Sequence, residues 1–384
     1  MHDRPHVALI VETSLAFGRA VLRGISRYIV AHQPWSLYVD LRELLAAPPA
    51  WLDTWRGDGI ISRSTTPELV RKLRRRKIPA VDLTDSFGDQ GLPHVWIDHH
   101  AVGRAAAAHL VERGFRHFGF CGFSAHDWSS RRLAGFREQL ARSRHECHLF
   151  ESPWDTSKTG DWEAQQLAVG RWLGSLPKPV GVLACNDMRG QHVLDACRRE
   201  NLAVPESVAV VGVDNDELLC QLCDPPLSSV VPSAERIGYE AAALLDRLMQ
   251  GDTAVPFETL VEPSGIVTRQ STDVLAIDDQ LIGQAVRYIR EHACEGITVA
   301  QVLKQVPLSR SMLEKRFRRH LNQSPQDAIR TVQIKRAKQL LAETDLGLVA
   351  IARLAGFKHV EYLSVVFKRE TGQTPGQYRK QVQV

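Results

Sequence analysis

The sequence predicts two doubly wound α/β lobes with parallel sheets, followed by an all-α domain carrying two helix-turn-helix motifs. Three observations lead there. Before the tail, over roughly 270 residues, short apolar runs alternate with amphipathic helical segments, as in parallel sheets covered on both faces. Over the last hundred residues one pattern recurs with a period of fifty, which implies two copies of one supersecondary unit. Charge divides the same way: from Asp278 onward 18 Lys and Arg face 10 Asp and Glu, a net of +8, so within a total of +4 the preceding part is −4. An acidic front on a basic back suits a nucleic-acid-binding module attached to something else.

Taken in order, the front part reads as strand 7–11, helix 16–31, strands 36–41, 59–61 and 80–83, an apolar run at 95–97 and helix 100–113. Strand 117–121, helices 131–142 and 161–174, strand 180–185, helix 187–200, strand 208–213 and helix 234–250 follow. The strands are near-continuous apolar runs, as burial on both faces requires, and at this length two lobes fit better than one.

In such sheets ligands bind beyond the carboxyl ends of the strands. The polar residues there are Glu12, Thr13 and Ser14 after the first strand, Asp98 after 95–97, Asn186 and Asp187 after 182–185, and Asp214 after 210–213. Carboxylates and amides with little Lys or Arg among them suit a neutral polyhydroxyl ligand, since planar groups bridge adjacent hydroxyls. Trp128, Trp154 and Trp162 offer an apolar face for ring C–H groups. For each polar residue alone, loop capping is the competing explanation, with Asp187 as a helix N-cap and Asp214 as a turn residue.

In the tail, Val299 and Ala300 recur as Val349 and Ala350, Leu313 and Phe317 as Leu363 and Phe367, and Gln323 with Pro325 as Gln373 with Pro375. Each copy has a short apolar helix (299–305; 348–354), a brief turn (306–308; 355–358) and a longer basic amphipathic helix, which is helix-turn-helix grammar. Leu313, Phe317 and Leu321 at i, i+4 and i+8 make one buried stripe, turning Ser311, Glu314, Lys315 and Arg318 outward. In the second copy His359, Glu361, Tyr362, Val365 and Lys368 lie off the Leu363 and Phe367 stripe. Glu suits cytosine N4, Lys suits guanine O6 and N7, and basic residues near helix ends suit phosphates. Residues 325–343 read as a helix of about 27 Å, a spacer able to hold two readers about one duplex turn apart. A helical bundle with a solvated basic face is the alternative, weakened by the two in-register copies.

Over about 100 residues this tail resembles the AraC/XylS regulators, on Ala350, Ile351, Ala352, Ala355, Gly356, Phe357, Leu363, Phe367, Lys368, Gly372, Pro375 and Tyr378. The resemblance makes Ser311, Glu314, Lys315, His359, Glu361, Tyr362 and Val365 base-facing, within a DNA-contacting set that also holds Ser309, Arg310, Arg318 and Lys368. Glu314 and Val365 stand where that family often has Gln and Arg. Segments 182–190 and 208–216 resemble the LacI/GalR regulators and periplasmic sugar-binding proteins, so the front part is expected to be a two-lobed periplasmic-binding-protein-like sensor. Asn186, Asp214, Asp98 and Arg132, in the run Arg132-Leu133-Ala134-Gly135, then match sugar-contacting positions. The chain lacks that family's N-terminal helix-turn-helix and has Pro232 where a polar contact is often found.

A LacI-like sensor joined to an AraC-like tail resembles the xylose-operon regulators in particular, over nearly the whole chain. The resemblance implies D-xylose as effector, activation of xylose catabolic genes, double-stranded DNA and RNA polymerase as partners, a homodimer and a cytoplasmic location. Domains are expected at 1–270 for the sensor, 271–282 for the linker and 283–384 for the DNA-binding domain, with helix-turn-helix units at about 298–320 and 348–371.

No signal peptide is expected, and no stretch approaches the roughly 18 apolar residues of a membrane span. Seven Cys, scattered except Cys220 and Cys223, fit a reducing compartment better than a disulfide framework, and the lone C-x-x-C has no partner pair for a metal. The run 71–77 reads as a solvated basic helix face. His94, His99 and His100 lack metal-ligand spacing and are expected on loops or the surface. No G-x-S-x-G, Walker A, G-x-G-x-x-G or H-E-x-x-H pattern is present, so neither cofactor nor catalysis is expected. The alternatives are a regulator of the same build answering another sugar or acting as a repressor, and a sugar-binding transport component.

Overall fold

The computed structural model describes residues 4–42, 49–85, 88–154, 162–273, 279–321, 323–344 and 346–382. The chain forms two compact units, Met1–Val274 and Leu275–Val384.

The first unit opens with β1 (His6–Glu12), α1 (Ala16–Ala31), β2 (Ser36–Arg42), β3 (Gly59–Ser62), α2 (Pro67–Arg76), β4 (Ala80–Asp82) and β5 (His94–Ile97). It crosses to a second lobe for α3 (His99–Glu112), β6 (His117–Phe123), α4 (Asp127–Arg142), β7 (Cys147–Ser152), α5 (Trp162–Ser175), β8 (Val180–Ala184), α6 (Asp187–Arg199), β9 (Val208–Val213), α7 (Glu217–Leu222) and β10 (Ser228–Val231). The chain returns for α8 (Ala234–Met249) and β11 (Glu258–Val261), then crosses again to β12 (Gly265–Val267). Among the described residues the two sheets run β11-β5-β4-β3-β1-β2 and β12-β10-β9-β8-β6-β7. All pairings are parallel except β10 with β12. Parallel order stacks the carboxyl ends of all these strands except β12 on one edge of each sheet, where a ligand site can form.

The expected strands and helices of this unit are present, with bounds shifted by a few residues. The strands that apolar runs did not reveal are weakly apolar for identifiable reasons. β7 is a sheet edge with no fully buried residue and with His148, Leu149 and Glu151 exposed, and β11 and β12 are short edges. β10 buries Ser228 and Ser229, whose hydroxyls are spent on polar partners. The basic run 71–77 lies on α2, whose apolar side buries Leu69, Val70 and Leu73.

Two helix pairs set the geometry that matters. An added Cβ at Gly103 would stand 2.1 Å from the Arg132 carbonyl oxygen, and one at Gly135 2.1 Å from that of His100. Only glycine admits so close an approach, and it brings the start of α3 beside the middle of α4. Helices α1 and α8 make an equivalent contact in the first lobe.

The expected connector 271–282 is not uniform. Ser271 and Thr272 are fully buried in the sensor, where Ser271 Oγ donates to Val210 O at 2.6 Å and Thr272 Oγ1 to Ser228 Oγ at 2.7 Å. Residues 274–278 lie outside the described residues, and Asp279 caps the next helix.

The second unit contains α9 (Gln280–His292), α10 (Val299–Leu303), α11 (Arg310–Leu321), α12 (Pro325–Glu343), α13 (Leu348–Leu354), α14 (Val360–Thr371) and α15 (Pro375–Val382). Two apolar cores form, one per repeat. The first gathers Ile282, Ile289, Val302, Leu313, Phe317 and Ile329. The second gathers Ile334, Leu341, Ile351, Phe357, Leu363 and Phe367. Helix α12, started by Pro325 and a Ser324–Asp327 capping box, serves both.

Candidate functional site

The carboxyl ends of both sheets converge on a chain of charged groups. In the first lobe Glu12, at the end of β1 and fully buried, accepts a hydrogen bond from Arg63, the residue after β3. Its second oxygen is buried without a hydrogen-bond partner among the described residues. Arg63 also lies over the Phe17 ring, 4.4 Å from its centroid. Past β4, Asp85 Oδ2 is 2.6 Å from His99 Nε2 at the start of α3, and Arg132 Nε donates to His99 Nδ1 at 3.2 Å. Arg132, almost fully buried, also bonds the Cys185 carbonyl, reaches Asp214 Oδ1 at 3.4 Å and lies over the Trp128 ring.

Charge follows from this geometry. Burial pushes Asp85 up, but the facing His99, Arg63 and Arg132 outweigh it and hold the carboxyl down at about 2. His99 is lowered by burial, against the pull of Asp85. A neutral ring that donates from Nε2 to Asp85 and accepts at Nδ1 from Arg132 satisfies both contacts. Asp214 is raised by burial, opposed by Arg132 and then Arg63. That influence of Arg63 ties the two lobes into one electrostatic site.

Asp214 sits at φ 107, a backbone region that costs a non-glycine residue about 1–3 kcal/mol. The turn is pinned by successive amides: Asp214 N donates to Val230 O at 3.1 Å, Asn215 N to Ser229 Oγ at 3.0 Å, and Asp216 N to Asp187 Oδ2 at 2.8 Å. Ser229 Oγ donates in turn to Asp187 Oδ1 at 2.6 Å. Both Asp187 oxygens are therefore engaged behind the turn, and burial, with the Asp214 charge beside it, pushes this carboxyl up.

The other expected ligand residues divide by role. Asn186 caps α6, its oxygen accepting from Arg189 N at 2.9 Å, so its amide N–H groups are what it can offer a ligand. Asp98 caps α3, accepting from Ala101 N at 2.8 Å, with Arg104 3.7 Å away. Thr13 and Ser14 have their carbonyls tied by Arg19 and side chains that are at least partly exposed. Trp128 and Trp154 meet edge to face at 5.9 Å beside Phe123, whereas Trp162 stands apart against His192.

The histidines correct the sequence expectation. His94 is buried on β5, stacked on Trp96 at 3.8 Å, and His99 is buried inside the charged chain; His100 alone is exposed. Strand burial and the close α3–α4 packing override the loop reading. Arg63, Asp85 and His99 were missed although they follow β3, β4 and β5; reading polar residues after every strand would have found them.

In the second unit α11 and α14 present the expected DNA-contacting residues. Ser309, Arg310, Ser311, Lys315 and Arg318 are exposed, while Glu314 is half-buried and takes a hydrogen bond from Arg310 at 3.2 Å. His359, Glu361, Tyr362, Val365 and Lys368 are all exposed, and Arg330 of α12 donates to the Tyr362 hydroxyl at 3.0 Å. Such short polar and basic side chains at a second-helix start suit a major groove. Among the described residues no three His, Cys, Asp or Glu side chains gather as a metal site, and no helix is long and apolar enough to cross a membrane.

Comparisons with known proteins follow the same division. A XylR N-terminal domain model matches residues 6–97, a periplasmic binding protein-like domain model 107–272 and a helix-turn-helix domain model 302–381. The chain is 34% identical over 381 residues to the xylose operon regulatory protein of Haemophilus influenzae, covering 97% of each. It is 32% identical over 384 residues to that of Escherichia coli K12, covering 98% of this chain and 97% of the relative. The solved structure of the xylose-binding transcription activator xylR superposes with a TM-score of 0.81 at 31% identity, covering 99% of this chain and 98% of that one.

Proposed function

The chain belongs to the family of xylose operon regulatory proteins, and from that premise we propose that its interlobe charged chain is a D-xylose site whose occupancy controls how the tail engages DNA. The protein is a xylose-responsive, AraC-type DNA-binding transcription regulator and not an enzyme. The reading of the site rests on one observation above the rest: Asp85, His99, Arg132 and Asp214 form a continuous polar chain to which both lobes contribute. The sugar lies against Glu12, Thr13, Ser14 and Arg63 on one side and Arg132, Asn186 and Asp214 on the other. Fixed carboxylate and guanidinium groups pair with adjacent hydroxyls, and Trp128 with Trp154 offers the apolar wall. Asp98 and Asp187 act from behind, holding α3 and the Asp214 turn.

Sugar bridging both lobes favours their closed arrangement, and a closed sensor shifts the population of DNA-competent tails. The same reading makes the protein an activator of xylose catabolic genes that works with RNA polymerase, as a homodimer in the cytoplasm. The sensor ends near residue 273 and the reader begins near Asp279. Isothermal titration with D-xylose tests the site. Losing one charge-assisted hydrogen bond, worth about 1.5–3 kcal/mol, makes Asp214→Ala bind roughly 10- to 150-fold more weakly. DNA binding without sugar stays intact. Wild-type sugar affinity in both Asp214→Ala and Asn186→Ala contradicts the assignment.

A further inference from the structure

The two apolar cores of the DNA-binding unit meet at a polar residue. Along α12, Ala328, Ile329 and Val332 pack into the first core and Ile334, Ala337, Leu340 and Leu341 into the second. Gln333 stands between them and is only 7% exposed. Its Nε2 donates to Ala293 O at 3.0 Å and to Gly356 O at 3.0 Å. Both partners are carbonyl oxygens, so the chemistry fixes which end of the amide faces them.

Those carbonyls belong to different repeats. Ala293 lies in the first core, just after α9, and Gly356 forms the turn that feeds α14, the second recognition helix. The backbones touch at this seam: Gly356 has φ 81, and a Cβ there would stand 2.6 Å from Ala293 O. Apolar contact is non-directional and tolerates sliding. A buried amide that spends one N–H on each repeat does not: Ala293 O keeps a second donor in Gly296 N at 3.1 Å, but a shift on either side takes from the Gly356 carbonyl its bond to Gln333 or strands a buried amide N–H.

We propose that Gln333 is the positioning residue that fixes the second recognition helix relative to the first, and thereby sets the half-site spacing the protein accepts on DNA. This rests on the reading that both helix-turn-helix units grip one duplex. Gln333 itself is buried and contacts no base; it acts through the Gly356 turn.

The test uses the full-length protein. A randomised duplex pool is selected with the wild type, and the recovered motif is rebuilt with its half-sites moved by one and two base pairs in each direction. For the wild type a one-base-pair shift is expected to weaken binding about tenfold. Gln333→Met, of similar length without donors, is expected to compress that preference to about twofold while base preference inside each half-site persists. Gln333→Asn, too short to reach both carbonyls, relaxes it less and is the milder variant should the first fold poorly. Gln333→Lys, which keeps donors, restores it. A uniform loss over all spacings, or a wild-type spacing profile in Gln333→Met and Gln333→Asn alike, overturns the inference. Recovery of a single half-site by the wild type overturns the two-reader reading and the inference with it, whereas a fixed spacing retained by both variants overturns the inference alone.

Discussion

His99 shows how much a single residue carries in the cleft. Its ring joins Asp85 to Arg132, so its neutral form sets the direction of every hydrogen bond around it. A second buried acid makes a separable prediction. Asp82, at the end of β4, is pushed up to about 7 by burial, against lowering contacts from Thr65, Thr84 and His94. A folded pKa above the unfolded value means the fold prefers the proton, so the contribution to stability is full below about 4 and is lost as pH rises through about 7. Relative to Asp82→Asn, the melting temperature of the wild type is therefore expected to fall as pH rises from 5 to 8, because the substitution removes this one titration and leaves those of the other buried groups in place. An unchanged slope in the variant contradicts this. At this scale the sequence was legible only in part. Glu12, Asn186 and Asp214 follow from strand ends, but the roles of Asp187 and Asp98 as braces depend on which amides fold back onto them.

At the scale of elements, the proposed DNA contacts of α11 and α14 are expected to divide into base readers and phosphate contacts. Lys315 and Glu361 project from exposed positions on α11 and α14. Each good side-chain pairing to a base is worth about 1–3 kcal/mol of discrimination. Lys315→Ala and Glu361→Ala are expected to cut the ratio of specific to random duplex affinity roughly tenfold while moving the salt slope little. Equal losses on both duplexes place these residues at phosphates instead. The helix pair α3–α4 gives a second prediction. Gly135→Val inserts bulk where even a Cβ meets the His100 carbonyl at 2.1 Å, so it is expected to abolish xylose binding by parting His99 from Arg132. The elements themselves were readable because fully buried parallel strands and repeated amphipathic helices leave strong periodic signals. Edge strands such as β7 and β12 leave none, since half the residues of β7 and two of the three in β12 face water. The polar β10 escaped because its serines are braced by Asp187 and Ser271.

For the whole molecule, sensor and reader differ in charge sign, in fold and in the ligands they take, and regulation is the free-energy coupling between them. Coupling of this kind is reciprocal: if xylose changes DNA affinity by some factor, DNA changes xylose affinity by the same factor. The electrostatic share of DNA binding is expected to show as a steep loss of duplex affinity between low and physiological salt, whatever the sugar does. The most direct test is the affinity of the full-length protein for its selected duplex, measured with and without saturating D-xylose at one salt concentration, beside the sugar affinity measured with and without duplex. The expected change is about 5- to 150-fold, equal in both directions, and lost in Asp214→Ala. Sugar that binds the cleft with no change in duplex affinity contradicts it.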